Sequence, residues 1–382
     1  MKKSILALAV AASLAIPLVV EADTILYGSA RVSVDYNDEK VGALDKALGI
    51  ADPDGNWNIV NNASRLGVQG FEELGGGLSA VYQYEFGVDA TEGGNFEGNR
   101  PKFVGLRGDF GTLTVGTQDT PYYNVAGITD IFNTDKSFGS TVWLGGSFNG
   151  FDIDLSTGRA VGGGALFRLE NSLYYITPNF NGFTAEGMLV MNGSDNDAQG
   201  YSNGIDIWNL AGKYVNGPFF AGVSYIKLEG KNNIALTDGT LSTLDLDQWV
   251  LGLGYSQGPF AVGFIYERGD FNTFSLLSKT QFSGEYLFGN DDADNWYLTG
   301  QYSFGNNTVR AAYGRMNTSL KSSQAIEALG IHDDDTIDNY LIGYEYNFSK
   351  RTRVWAEYIG RDANTLLNGD QNAFSIGTRV DF

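Results

Sequence analysis

The chain has 382 residues, with 51 glycines, 7 prolines, no cysteine and a formal net charge of −20. This composition is unlike that of collagen-like or disordered chains, and without cysteine no disulfide can stabilise the fold. The acidic balance argues against nucleic acid as a partner, because binding to phosphates requires positive charge.

The first 22 residues have the pattern of a secretory signal peptide. Lys2 and Lys3 form the charged start, residues 5–20 the apolar stretch, and residues 20–22 a small-residue cleavage site. We therefore expect export of a mature chain that covers residues 23–382. No later stretch approaches the roughly 18 to 20 consecutive apolar residues that a membrane-spanning helix requires.

Apolar and polar residues alternate with a period of two along most of the chain, which is typical of strands with one apolar face. In the first strand, Leu26, Val32 and Val34 would face one way, whereas Ser29 and Arg31 would face the other. One face suits lipid and the other suits water, as in the wall of a membrane barrel.

Aromatic residues lie at or near the ends of most of these strands, as at Tyr82 and Tyr84 or at Tyr344 and Tyr346. A soluble β-sandwich also alternates, but aromatic strand ends favour the two interfacial girdles of a membrane barrel. Closure also leaves no strand edge unpaired. The sequence therefore predicts an all-β, antiparallel, transmembrane β-barrel.

Short turns alternate with long connections, and their number sets the number of strands. The short turns cover residues 72–77, 108–111, 178–182, 215–218, 256–259, 304–307 and 347–351. Seven short turns on the same side as both termini fit sixteen strands. Residues 280–287 also look like a strand. A seventeenth strand there would move the later short turns to the opposite side of the membrane, so we assign these residues to a loop. Eighteen strands, with a further one at residues 271–275, remain the alternative.

Several segments, taken in this order and spacing, resemble the general porin family of Gram-negative bacteria over nearly the whole mature chain. They read LYG at 26–28, SRLGV at 64–68, FVGLRG at 103–108, NSLYY at 171–175 and YNFSKRT at 346–352, with a terminal Phe382. The resemblance implies a sixteen-stranded homotrimeric barrel in the outer membrane, passive diffusion of small hydrophilic solutes, an inward-folded third loop, and Phe382 as the assembly signal.

Charged wall residues are expected in the lumen, because a cation that faces lipid at mid-depth costs about 2 to 4 kcal/mol. Alternation places Arg31 and Arg65 on the water-facing side. Arg100 and Lys102 face the lumen if Phe103 faces lipid.

Arg168 would face inward together with Ser172 and Tyr174, if the alternation holds along that strand. In related porins a row of barrel arginines opposes acidic residues of the third loop, and Arg65, Arg100 and Arg168 match that row by their local motifs. The alternative is that these arginines only pair with nearby carboxylates of the wall.

The third loop would span residues 119–166, and a connection of that length is usually either a functional or a disordered element. Its candidate acids opposite the arginines are Asp130, Asp135, Asp152 and Asp154. The loop lacks the Pro-Glu-Phe-Gly tip that is usual in the family, and residues 147–150 are the nearest substitute. We slightly favour Asp152 and Asp154, because they follow that segment.

Catalytic chemistry is not expected. His332 is the one histidine and lies in an acidic segment, so no Ser-His-Asp or Cys-His device is evident. We predict that the chain is not an enzyme and needs no cofactor. Residues 195–200 loosely resemble a calcium loop, which is a weak sign of calcium in an external loop, and we expect no other metal.

The leading hypothesis is thus a water-filled channel whose partners are further copies of itself, outer-membrane lipid and lipopolysaccharide, and small solutes. The alternative is a substrate-specific channel for a sugar or an anion, or a surface-binding barrel, which the unusual third loop favours. The ion preference stays open, because acidic loops attract cations whereas arginines at the narrowest point attract anions.

Overall fold

The computed structural model describes residues 24–47, 49–93, 96, 98, 100–134, 153–154, 159–160, 167–191, 205–229, 234–235, 241–242, 245–272, 290–318, 336–363 and 368–382. The predicted signal peptide, the segment 280–287, the calcium-like segment 195–200 and His332 lie outside these residues. The expectations for them remain predictions.

Seventeen strands within the described residues form one antiparallel sheet. The strands are β1 (Thr24–Val41), β2 (Asn56–Asn61), β3 (Arg65–Gly75), β4 (Leu78–Gly87), β5 (Lys102–Gly108), β6 (Gly111–Asp119), β7 (Arg168–Ile176), β8 (Phe183–Met191), β9 (Ile205–Asn216), β10 (Phe219–Glu229), β11 (Asp245–Gln257), β12 (Phe260–Asn272), β13 (Asn290–Phe304), β14 (Asn307–Thr318), β15 (Thr336–Asn347), β16 (Thr352–Ala363) and β17 (Asn368–Asp381).

The remaining described elements are small. The helices are α1 (Ala43–Ala47) and α2 (Pro121–Ala126), and a single 3-10 turn covers Gly127–Thr129. Two pairs of two-residue strands join Ile153–Asp154 to Arg159–Ala160 and Ile234–Ala235 to Leu241–Ser242. No helix of the described part of the chain is long and apolar enough to cross a membrane.

The sheet closes on itself as a sixteen-stranded barrel. Strands β2 and β3 pair with successive parts of β1, so together they fill one place in the wall. Strand β17 pairs with the other edge of β1, which completes the cylinder. Strand β12 pairs with β13 from Phe260 to Asn272, so these two strands are direct neighbours and the eighteen-stranded alternative is excluded.

The alternation predicted from the sequence is confirmed in the wall. Leu26 is 64% exposed and Ile342 60% exposed on the outer face, as expected for lipid-facing residues. Ser29 and Ser33 are buried on the inner face. All seven predicted short turns are present, because each connects two strands that pair with each other.

Phe382 closes the seam between the last and the first strand. Its carbonyl accepts a hydrogen bond from Gly28 N at 2.9 Å, and its N–H donates to Gly28 O at 3.1 Å. A Cβ atom at Gly28 would lie 2.4 Å from Cζ of Phe382 and 2.9 Å from Arg65 O, so only glycine leaves room for this aromatic ring.

We expect Gly28→Val to impair closure, because the added methyl groups would displace Phe382 and crowd the backbone of Arg65. Overpacking of this kind typically costs about 1 to 3 kcal/mol. The folded fraction, measured as the heat-modifiable band on a gel, should fall, and the midpoint of urea unfolding should decrease. Gly300→Val is the matched control, since a Cβ atom at Gly300 in β13 would have no neighbour within 4 Å. Equal behaviour of the two variants would contradict the role of Gly28.

Candidate functional site

A loop enters the barrel directly after β6 and begins with helix α2. Thr120 caps this helix, since its Oγ1 accepts a hydrogen bond from Tyr123 N at 3.1 Å, and Pro121 occupies the first turn. Both features favour helix initiation, because the cap satisfies a free N–H group and proline has none to satisfy. The loop is described continuously as far as Thr134, and further on at residues 153–154 and 159–160.

Polar contacts fix α2 to the inner wall of β7 to β12. Tyr122 donates from its hydroxyl to Glu267 at 2.7 Å, and its backbone N–H donates to Oδ1 of Asn209 at 2.8 Å. Asn124 donates to Glu186 at 3.0 Å. Burial and the neighbouring Glu267 raise the pKa of Tyr122 well above its usual range, so its hydroxyl stays protonated and remains a donor.

The same helix also packs on apolar wall residues. Tyr122, Val125 and Ala126 are fully buried and belong to one cluster with wall residues such as Ile226 and Val250. The inner face of the barrel is therefore not uniformly polar. Where the loop covers the wall, an apolar core replaces the water-facing side chains.

Glycines let the loop approach the wall closely. A Cβ atom at Gly252 would lie 2.9 Å from the carbonyl oxygen of Val125, and one at Gly263 would lie 2.9 Å from that of Ile128. These distances are shorter than real Cβ contacts, so a larger residue at either position would push the loop into the lumen.

The far end of the described loop is held by a buried carboxylate on the opposite part of the wall. Glu357 of β16 accepts hydrogen bonds from the backbone N–H groups of Asn133 and Thr134, at 2.9 and 3.0 Å. The Asn133 amide also donates to Glu345 of β15 at 3.0 Å. The loop thus runs from β6 across the interior to β15 and β16, and it narrows the barrel as expected of the third loop.

An arginine row, consisting of Arg31, Arg65, Arg353 and Arg379, lines the wall near the loop. Arg353 pairs directly with Arg379, and Arg379 with Arg31, across strands β16, β17 and β1. Arg65 of β3 lies opposite Ser29, which accepts a hydrogen bond from Nε of Arg31 at 3.0 Å. Like charges placed opposite each other destabilise a sheet, so this row needs compensating charges.

Two wall carboxylates compensate part of the arginine row. Asp381 accepts from Nε of Arg379 at 2.7 Å and also from Arg353. Glu85 of β4 lies 3.9 Å from Arg65 and 3.7 Å from Arg100. Arg100 thus shares Glu85 with Arg65 and adds one further cation beside the arginine row.

Asp130 is a loop acid close enough to the arginine row to act on it electrostatically. Its charge acts on Arg31, together with the charges of Arg65 and Arg379. The hydroxyl of Tyr123 donates to the carboxylate of Asp130 at 3.0 Å. The charge of Asp130, as the main cause, and burial, as the second, raise the pKa of Tyr123 well above its usual range.

The structure does not describe the side chains of the other candidate acids. Asp135 and Asp152 lie outside the described residues. For Asp154 the structure describes a backbone pairing with Arg159 and no side-chain position. The slight preference for Asp152 and Asp154 therefore remains a prediction.

Lys102 does not lie on the expected face. Phe103 pairs with the inward residue Gln83, and Lys102 pairs with Tyr84, which is exposed on the outer face. The Nζ atom of Lys102 lies 4.9 Å from the centre of the Phe86 ring. The expectation assumed that Phe103 faces lipid. The observed register instead places Phe103 on the inner face and Lys102 on the outer face.

Arg168 also departs from the expected alternation. Asn171 has a φ of 51°, and the register between β6 and β7 shifts by one residue there. A bulge changes which side chains share a face, so Arg168 no longer lies on the side of Ser172. It pairs with Asp119 at 2.6 Å, where the loop leaves the wall.

Sequence reasoning missed three of the residues that define this site. Local patterns do not identify Arg353 as the cross-strand partner of Arg379. Glu345 and Glu357 were not recognised as the carboxylates that hold the loop. Alternation on β15 and β16 would place all three inward, but which strand faces which loop residue cannot be read from local patterns.

Comparison with known proteins agrees with this architecture. A family model described as Gram-negative porin matches residues 7–365. Major outer membrane protein P.IB of Neisseria gonorrhoeae is 29% identical, covering 92% of this chain and 91% of that protein. Outer membrane porin protein 32 of Delftia acidovorans is 28% identical, covering 96% of this chain and 92% of that protein.

Solved structures share the fold. The anion-selective porin from Comamonas acidovorans has a TM-score of 0.68 at 20% identity and covers 95% of this chain and 100% of its own. OmpF of Salmonella typhi, in complex with daunomycin, has a TM-score of 0.66 at 16% identity, with 94% and 98% covered.

We expect Glu357→Ala to release the far end of the loop, because Asn133 and Thr134 would lose a charged acceptor. Hydrogen bonds to charged groups contribute about 1.5 to 3 kcal/mol each. Single-channel recordings should show increased open-channel noise and a changed conductance. Glu72→Ala, at an exposed position at the end of β3, should leave both unchanged. Recordings of Glu357→Ala that match those of the unmodified chain would show that the loop is held by other contacts.

Proposed function

Because this chain belongs to the Gram-negative porin family and forms a passive diffusion channel in the bacterial outer membrane, we propose that its constriction favours anions. The observation that carries the proposal is the arginine row, in which Arg353, Arg379 and Arg31 lie side by side on adjacent strands. Arg65 and Arg100 continue it, with Glu85 shared between them.

The acids of the opposite wall expose little negative charge to the lumen. Glu186, Glu267 and Glu357 are each at most 4% exposed and accept hydrogen bonds from the loop. Asp130, in contrast, is exposed. A permeating ion therefore meets several cations on one side and a single exposed loop acid, Asp130, on the other side of the described passage.

The net charge of the whole chain acts over a longer range. The overall charge of −20 attracts cations towards the channel mouth. At physiological ionic strength, however, charges are screened over about 8 Å. Charged groups that line the narrow passage itself therefore determine which ion enters it.

The roles of the predicted site residues follow from this proposal. Arg31, Arg65 and Arg100 act as the basic side of the constriction, joined by Arg353 and Arg379, and Asp130 acts as the opposing acid. Arg168 orients the start of the loop through Asp119, and Lys102 has no part in the constriction. We also propose that the chain catalyses no reaction and needs no cofactor, because an open aqueous passage conducts by diffusion alone.

We expect the double variant R31Q/R65Q to lose anion preference. The reversal potential in a potassium chloride gradient should move towards that of a cation-selective channel, since two of the row's cations are removed while Asp130 and Glu85 remain. The variant K350Q/R351Q removes the same charge from an exposed turn and should keep the original sign. A cation preference in the unmodified channel would refute the proposal.

We further propose that the channel is a homotrimer, because one side of its wall is short. Strands β5 to β8 have 7, 9, 9 and 9 residues, whereas β13 has 15. At roughly 3.3 Å per residue and a tilt near 45°, seven to nine residues span only about 16 to 21 Å of a band of about 25 Å. A neighbouring copy would shield this side from lipid.

Reconstitution in a planar bilayer should show conductance steps grouped in threes. Each insertion event would then deliver three parallel channels, which close in separate voltage-dependent steps. Sedimentation of the detergent complex should give the mass of three chains. Single steps together with the mass of one chain would contradict the trimer and leave the ion preference untouched.

A further inference from the structure

The outer face of β8 to β15 carries one pattern three times: a leucine or tyrosine, then a tryptophan, a cation and an aspartate. Each copy lies across four adjacent strands, whose residues pair directly with one another. The copies are Leu189, Trp208, Lys227 and Asp247; Tyr225, Trp249, Arg268 and Asp294; and Tyr266, Trp296, Arg315 and Asp338. We call these three copies the outer rows. In each one, a cation has tryptophan on one neighbouring strand and aspartate on the other.

The outer rows lie at one edge of the lipid-facing band. Val223 and Leu298 are 51% and 45% exposed on the same face, closer to the short turns. Each cation follows a tyrosine by two residues, so it lies one step beyond the aromatic girdle towards the long loops. Porin loops of this length are extracellular and the girdle marks the interface, so the cations lie at the headgroups of the outer leaflet.

Arg315 shows how such a cation can bind an anionic ligand. Its Nε and Nη2 atoms donate to Asp338 at 2.8 and 2.7 Å, and its side chain is 45% exposed. A guanidinium has five N–H donors in a fixed plane. The aspartate therefore orients the group while leaving donors for a further anion, and phosphate matches their geometry.

Strand stabilisation alone does not account for the pattern. An exposed cross-strand ion pair contributes about 0.2 to 1 kcal/mol to stability. Such a pair does not explain why a tryptophan lies beside every cation. The pattern also stops abruptly, since the next pairing along the wall reads Tyr313, Tyr340 and Gly360, with no cation. It is thus confined to one continuous stretch of the outer wall, away from the short strands β5 to β8.

We propose that Lys227, Arg268 and Arg315 form a binding site for the phosphorylated headgroup of an outer-leaflet glycolipid. The outer rows repeat every second strand, which separates neighbouring cations by about 10 Å across the strands. A headgroup with two phosphates can engage two rows at once, whereas one with none has only the aromatic belt to contact. This site lies outside the lumen and does not depend on the ion preference.

The test is a titration of the folded full-length channel, in detergent, with lipid A that carries two phosphates and with the same lipid after dephosphorylation. Tryptophan fluorescence reports binding, because Trp208, Trp249 and Trp296 adjoin the three cations. We expect the bisphosphorylated lipid to bind roughly tenfold or more tightly than the dephosphorylated one, since charge-assisted hydrogen bonds are lost with the phosphates.

The variant K227Q/R268Q/R315Q should lose this difference, whereas K350Q/R351Q, with exposed charges at the opposite rim, should keep it. Unchanged conductance in phosphatidylcholine bilayers would show that the triple variant is folded. If the triple variant does not fold, R315Q and the charge-preserving R315K are compared, and R315Q should weaken binding more, because lysine keeps the charge but not the planar set of donors. Equal binding of the two lipids to the unmodified channel, or loss of binding in K350Q/R351Q alone, would overturn the proposal.

Discussion

Hydrocarbon offers no hydrogen bonds to a peptide backbone, so each strand that crosses a bilayer must be paired on both edges. In this chain the requirement is met by a closed cylinder whose seam lies between β17 and β1. The terminal Phe382 completes the seam through two backbone hydrogen bonds to Gly28. Everything else in the molecule, including the lumen and its loop, presupposes that closure.

Closure also determines where charge can be placed. Since side chains alternate between two faces, an arginine in the wall faces either lipid or the interior. The interior of this barrel has two different regions. On one side the wall carries the arginine row, and the charge of Asp130 acts on Arg31; on the other side the loop covers an apolar cluster around Val125 and Ile226. Carboxylates such as Glu357 join the two regions, because they hold the loop while remaining buried.

Local sequence patterns predicted the strands, their faces and all seven short turns, because alternation and turn residues act over a few positions. They failed where the answer depended on distant pairing. The face of Lys102 follows from its register with Tyr84, and that of Arg168 from a bulge at Asn171. Arg353 and Arg379 lie on consecutive strands but at their far ends, so their pairing follows from the register along the whole length of β16 and β17 and not from a local signal. Residues that lie in long loops, such as Asp152, could be named as candidates only.

The seam has a consequence for how the chain can fold. Ser29 pairs with Asp381, a partner that is about 350 residues away, and contacts between such distant residues slow folding because of the entropy lost on closing the loop. A partial barrel that lacks β17 leaves one edge of β1 without its partner strand. As long as β17 is not in place, that edge of β1 is open to pairing with other strands, which is the hazard that unpaired edges carry.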